Sequence, residues 1–85
     1  MARFEFSEDA VVGVSGADAL FELGLMYCAG RDVEINLIEA HKWFNLAALR
    51  GNESAKEYRL ELSREMSKSE IAAAQKSARE WLRCH

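Results

Sequence analysis

From residue 15 onward, apolar positions recur with helical rather than strand spacing, and they divide into four runs. Ser15 and Asp18 have the Ser-x-x-acid spacing that opens a helix, because both side chains can take up backbone N–H groups left free in a first turn. An apolar run follows to Ala29, and Gly30 supplies the permissive backbone that ends it. A short loop, Arg31 to Ile35, leads to Asn36, an N-cap for a second helix predicted over Leu37 to Arg50 and stopped at Gly51. Asn52 caps a third, predicted over Glu53 to Glu65, whose buried face would be Ala55, Tyr58, Leu62 and Met66. Ser67 and Glu70 form a capping box for a fourth, predicted over Lys68 to Arg83, with Ile71, Ala74, Ala78, Trp81 and Leu82 as its apolar stripe.

Residues before Ser15 keep no such period. Phe4, Phe6, Val11, Val12 and Val14 are apolar, Gly13 and Gly16 interrupt them, and the segment reads as an irregular lead, with a short strand as the alternative. The expected fold is therefore all-α: about four helices in antiparallel hairpins behind an irregular N-terminal lead. The organisation predicted is a single domain over 1–85, comprising a lead (1–15), a first helix pair (16–51) and a closing helix pair (52–85).

Composition sharpens this in two ways. With no proline and five glycines among 85 residues, nothing interrupts the helical runs except at their ends. A chain of this length buries only about 60–65% of the surface its unfolded form exposes, so its stability margin is thin. No export-signal core and no run approaching the roughly 18 apolar residues of a membrane span is visible, and Cys28 and Cys84 make no disulfide framework. The expectation is a cytoplasmic protein with reduced thiols and no membrane insertion. Charge is uneven: residues 1–53 hold four basic and nine acidic groups, residues 54–85 seven basic and five acidic.

One stretch of spacing stands out, from Ala19 to Ala55: Leu23, Gly24, Tyr27, Gly30, Val33, Asn36, Ala40, Trp43, Phe44, Ala47, Ala48 and Gly51. Its physics can be read directly. A glycine in mid-helix costs about 1 kcal/mol relative to alanine, so Gly24 implies close approach by a neighbour. Ala40, Ala47, Ala48 and Ala55 let helices draw together, Trp43 and Tyr27 can fill the space between them, and the short Gly30 to Asn36 connection makes an antiparallel hairpin.

The pattern resembles the Sel1-like repeat, a relative of the tetratricopeptide repeat. Asp32 stands where the family usually has a second loop glycine, and Asn36 where it has aspartate; both replacements suit their backbone roles. Residues from Leu60 to Trp81 resemble the segment that closes such arrays. Units of this kind bury their faces on neighbours and normally come in threes or more. Here one full unit is present, so its missing neighbours must be replaced by the lead, the last helix or another chain.

The first helix is apolar on nearly every side, with only Asp18 and Glu22 charged between Ala17 and Ala29. Ala19, Leu23 and Tyr27 suit the face packed on the second helix; Phe21, Leu25 and Cys28 make a second stripe, covered either by the lead or by a partner. In related repeats the first helix of each pair lines the binding face. The resemblance therefore implies Phe21, Leu25 and Cys28 as contact residues, with Glu22 as a polar anchor, and Leu23, Gly24, Tyr27, Gly30, Ala40, Trp43, Ala47 and Gly51 as scaffold.

The sequence holds no catalytic constellation: no nucleophile elbow, phosphate loop or zinc-protease motif is found. His41 reads as a partly exposed helix residue, Glu57 and Glu61 as a solvated face with Arg64 in reach of Glu61, and Cys84 with His85 as too few ligands for a metal site. The function expected is protein–protein interaction, as an adaptor, regulatory or accessory subunit that is not an enzyme and takes no cofactor, with another protein or a second copy as partner and no nucleic acid. The alternative is a small helix-turn-helix-like nucleic-acid-binding regulator built on Lys76, Arg79 and Arg83, opposed by the acidic net charge of −3.

Overall fold

The computed structural model describes residues 16–84, which form four helices: α1 Gly16–Ala29, α2 Leu37–Leu49, α3 Glu53–Ser63 and α4 Lys68–Cys84. The lead segment, the Ser15 cap and His85 lie outside the described residues. Among the described residues there is no strand, and the fold is all-α.

Each boundary has a chemical cause. Asn36 accepts from the Glu39 amide at 3.1 Å and Asn52 from the Ala55 amide at 2.8 Å, so both asparagines cap the helix that follows them. Before α4, Ser67 Oγ accepts from the Glu70 amide at 3.1 Å while the Ser67 amide donates to Glu70 Oε1 at 2.9 Å, a reciprocal box. Gly30, at φ +76°, ends α1, and the nearby Asp32 takes φ +63°, a left-handed conformation that aspartate tolerates better than most residues. Between them the chain turns sharply enough for the Asn36 amide to donate to the Tyr27 carbonyl at 3.1 Å, which closes the α1–α2 hairpin. α3 ends at Ser63, about half a turn before its expected end.

α2 is the hub and packs on α1, α3 and α4. It supplies Ala40, His41, Phe44, Leu46 and Ala47 to the interior, all fully or nearly fully buried. α1 contributes Leu20 and Gly24, α3 Ala55 and Leu62, and α4 Ala74 and Ala78. Three expectations are corrected here. The α1 face against α2 centres on Leu20 and Gly24, with Leu23 and Tyr27 half-buried on one flank and Phe21 and Cys28 on the other. Asp18 and Glu22, the charged residues of α1, stand four apart on the side away from Leu20 and Gly24, so the helix carries a weak phase that its many apolar residues obscure. Tyr58 and Leu82, expected in the core, are 46% and 38% exposed, at the edges of their helices' buried faces.

His41 is the third correction. It is buried, at 2% exposure, and not at the surface. Its Nε2 lies 3.0 Å from Ser63 Oγ, whose own proton goes to the Arg59 carbonyl at 2.9 Å. The serine oxygen is thereby left to accept, which puts the imidazole proton on Nε2. Nδ1 is buried without a hydrogen-bond partner. Burial and, secondarily, the Arg59 guanidinium push the pKa below the usual 6.5, so the ring is held neutral.

Candidate functional site

Three rings from three helices meet on one side of the hub, around Phe44 in the middle of α2. Phe21 of α1 lies 5.7 Å from Phe44 of α2 and edge-on to Tyr58 of α3 at 5.2 Å; Phe44 and Tyr58 are 5.5 Å apart. Phe44 is fully buried and Phe21 partly, while Tyr58 stands half in solvent. Edge-on and tilted pairs of this kind contribute about 0.5–1.5 kcal/mol beyond the area they bury. The cluster thus anchors Tyr58 by one side while its other side stands in solvent.

Beside that edge runs an open depression of about 410 Å³. Its floor is Cys28, Leu37, Phe44 and Leu62; Ile35 and Tyr58 form its walls; Glu61 and Glu65 stand on the α3 rim. Ile35 is 63% exposed, an unusual position for an isoleucine in a loop of charged residues. Its side chain is seated against Gly30, where a Cβ would come within 2.8 Å of Ile35 Cγ1, so the glycine that ends α1 also makes room for this wall.

The four contact residues expected on α1 do not form one free stripe. Cys28 lines the groove. Phe21 is engaged by Phe44 and Tyr58, and Leu25 packs partly buried against the core. Glu22 pairs across the turn with Arg31 at 3.4 Å, both side chains well exposed. The scaffold residues are distributed as follows. Gly24, Ala40 and Ala47 are buried between helices, Leu23 and Tyr27 flank them, and Gly30 and Gly51 sit at left-handed turns. Trp43 is only half-buried and belongs to the α2–α4 contact, edge-on to Trp81 at 5.7 Å, with its indole N–H donating to Glu39 at 3.1 Å.

Sequence reasoning missed Ile35 and Tyr58 as groove residues. A signal for Ile35 was present: an aliphatic side chain between Glu34 and Asn36, in a loop too short to bury it. For Tyr58 no signal existed, since its spacing matched the buried face.

The chemistry on offer is that of binding. Among the described residues no group of three or more potential metal ligands converges, and no helix is long and apolar enough to cross a membrane. His41, whose pKa is lowered by burial, is sealed inside the core and is not among the residues lining the groove.

Residues 17–52 match the family model described as Sel1 repeat, and this segment is a Sel1 repeat, a helical repeat related to the tetratricopeptide repeat. The match covers α1, its turn, α2 and the Asn52 cap, starting two residues before the unit read from the spacing and ending three before it. Sel1 repeats in general mediate protein–protein interaction and are non-catalytic. No curated protein and no solved structure matches the chain.

Proposed function

We propose, taking the Sel1 repeat of residues 17–52 as premise, that this chain is a non-enzymatic adaptor or accessory subunit whose groove beside Tyr58 docks a segment of another protein. The observation that carries this reading is the pairing of an apolar floor with walls left in solvent: Ile35 at 63% and Tyr58 at 46% exposure. Exposed apolar side chains scattered singly need no explanation, whereas these two line one depression whose floor is also apolar. Cys28 and Phe21 form or back the α1 side of this surface, with Leu25 and Glu22 on its outer shoulder.

A docked segment gains by covering Ile35 and Tyr58, and it meets a surface whose geometry is set beforehand by the ring cluster. Little ordering is then required of the protein on binding. The experiment compares two carboxylate substitutions at equally exposed apolar positions, Ile35→Asp in the groove and Leu49→Asp outside it, each 63% exposed in the wild type. Both variants should keep the wild-type circular dichroism. A protein that co-purifies with the wild-type chain should be lost with Ile35→Asp and kept with Leu49→Asp. Equal retention by both variants would remove the groove from the interaction.

A further inference from the structure

The groove is bordered on one side by a run of carboxylates. Glu57, Glu61 and Glu65 follow one another at four-residue intervals along α3 and its end, all exposed, next to Tyr58. Only Glu61 has an ion-pair partner among the described residues, Arg64 at 3.1 Å, itself exposed. Like charges at this spacing oppose one another on a helix, so the run works against α3 rather than for it. The repeat match ends at residue 52 and so gives α3 no part in it.

On α4 the opposite arrangement appears. Ala74 and Ala78 face α2, and the far side presents Ala72, Lys76, Arg79 and Arg83, all exposed, with Leu82 at its edge and one carboxylate, the exposed Glu80, among the three cations. None of these three cations has an ion pair among the described residues. Lys76 to Arg83 spans about 10 Å along the helix and Glu57 to Glu65 about 12 Å, so the two charged runs match in length. Lysine and arginine stems are themselves apolar and lie along apolar surfaces while their heads reach for charge. A face of this kind suits a groove with an apolar floor, an aromatic edge and a carboxylate rim.

We propose that a second copy of this chain occupies the groove, laying the basic face of its α4 across Tyr58 and against Glu57, Glu61 and Glu65. The inference rests on the groove being a docking surface, as argued above, and specifies an occupant that the chain itself carries. Lys76, Arg79 and Arg83 of the second copy supply the charge, and their stems with Leu82 supply the apolar cover. Another protein and a second copy then compete for one site.

The test is sedimentation of the full chain over a dilution series from about 10 μM to about 1 mM. At about 20 mM salt the mass should rise above the 9.6 kDa of one chain. At about 0.5 M salt, where screening shortens the reach of charge several-fold, association should weaken at least about tenfold. Glu57→Lys with Glu61→Lys should give a folded monomer, as should Lys76→Glu with Arg79→Glu. Mixing these two variants should restore the heavier species, because each then meets the opposite charge. A wild-type chain monomeric throughout overturns the second-copy inference and leaves the groove itself to the co-purification experiment. Association that survives both charge reversals yet is lost with Ile35→Asp also overturns it, in favour of purely apolar contact.

Discussion

The edge of the Phe44 ring fills the space where a side chain on Gly24 would begin. This close approach of α2 to α1 explains a glycine in the middle of a 14-residue helix. Substituting alanine would gain about 1 kcal/mol of helix propensity. Against that, overpacking costs about 1–3 kcal/mol, and Phe44, with no exposed surface, has nowhere to turn. Gly24→Ala should therefore lower stability by up to about 2 kcal/mol in urea unfolding. Phe44→Leu, which removes the ring edge, should make the same glycine substitution less costly; additive losses would show that the contact is not the cause.

Neighbouring aromatic residues on α2 should differ in the opposite order to their size. Phe44→Ala empties a site touched by Phe21, Tyr58 and Gly24 and should cost about 3–5 kcal/mol, enough to unfold so small a chain. Trp43 is half-buried, with Trp81 on one side and the Lys42 ammonium 4.3 Å from the centre of its ring. Trp43→Ala should cost less, about 1–3 kcal/mol, and chiefly loosen α4. Helicity measured for the two variants should rank Trp43→Ala above Phe44→Ala.

What the sequence made legible follows from where its signals are local. Asn36, Asn52 and the Ser67–Glu70 box act within one turn, and the helices they start begin at Leu37, Glu53 and Lys68 as read. Asp32 was legible for the same reason: a single residue's backbone tolerance was enough to accept φ +63°. The phase of α1 was only weakly legible: Asp18 and Glu22 stand four apart on the side away from Leu20 and Gly24, but the small and apolar residues run round the rest of the helix. Choosing between Trp43 and Phe44 for the centre of the core required knowing that α1 and α4 lie on different sides of α2. His41 misled because burial of a histidine depends on a partner, Ser63, twenty-two residues away. The groove was invisible for a related reason, since its two walls come from a loop and from α3 and are joined by a floor drawn from α1, α2 and α3.

His41 should make stability depend on pH just below neutrality. Its folded-state pKa lies below 6.5, so between 6.5 and that lower value the unfolded chain binds a proton that the folded chain refuses. The contribution is fully present above pH 6.5 and is lost as pH falls through the folded-state value. The urea midpoint should hold steady from pH 8 to about 7 and decline toward pH 5. His41→Gln, which keeps a donor for Ser63 and does not titrate, should flatten this decline. A wild-type midpoint independent of pH across that interval would mean that the buried ring takes up its proton without cost.

Phe21 and Ile35 should separate folding from docking most cleanly, because Phe21 belongs to the ring cluster behind the groove and Ile35 to its solvent-facing wall. Phe21 contacts both Phe44 and Tyr58, so Phe21→Ala should remove about 1–3 kcal/mol of stability, discounted from the fully buried value for its partial exposure. It should also weaken docking indirectly, by releasing Tyr58 from its fixed position. Ile35 is mostly in solvent, so Ile35→Ser should leave stability within about 0.5 kcal/mol while removing one wall of the groove. Cooling restores the folded fraction of a destabilised variant but cannot restore a missing wall. Partner binding measured at a temperature where both variants are folded should therefore recover partly for Phe21→Ala and not for Ile35→Ser. Equal recovery would make Ile35 a folding residue and move the docking surface away from the loop.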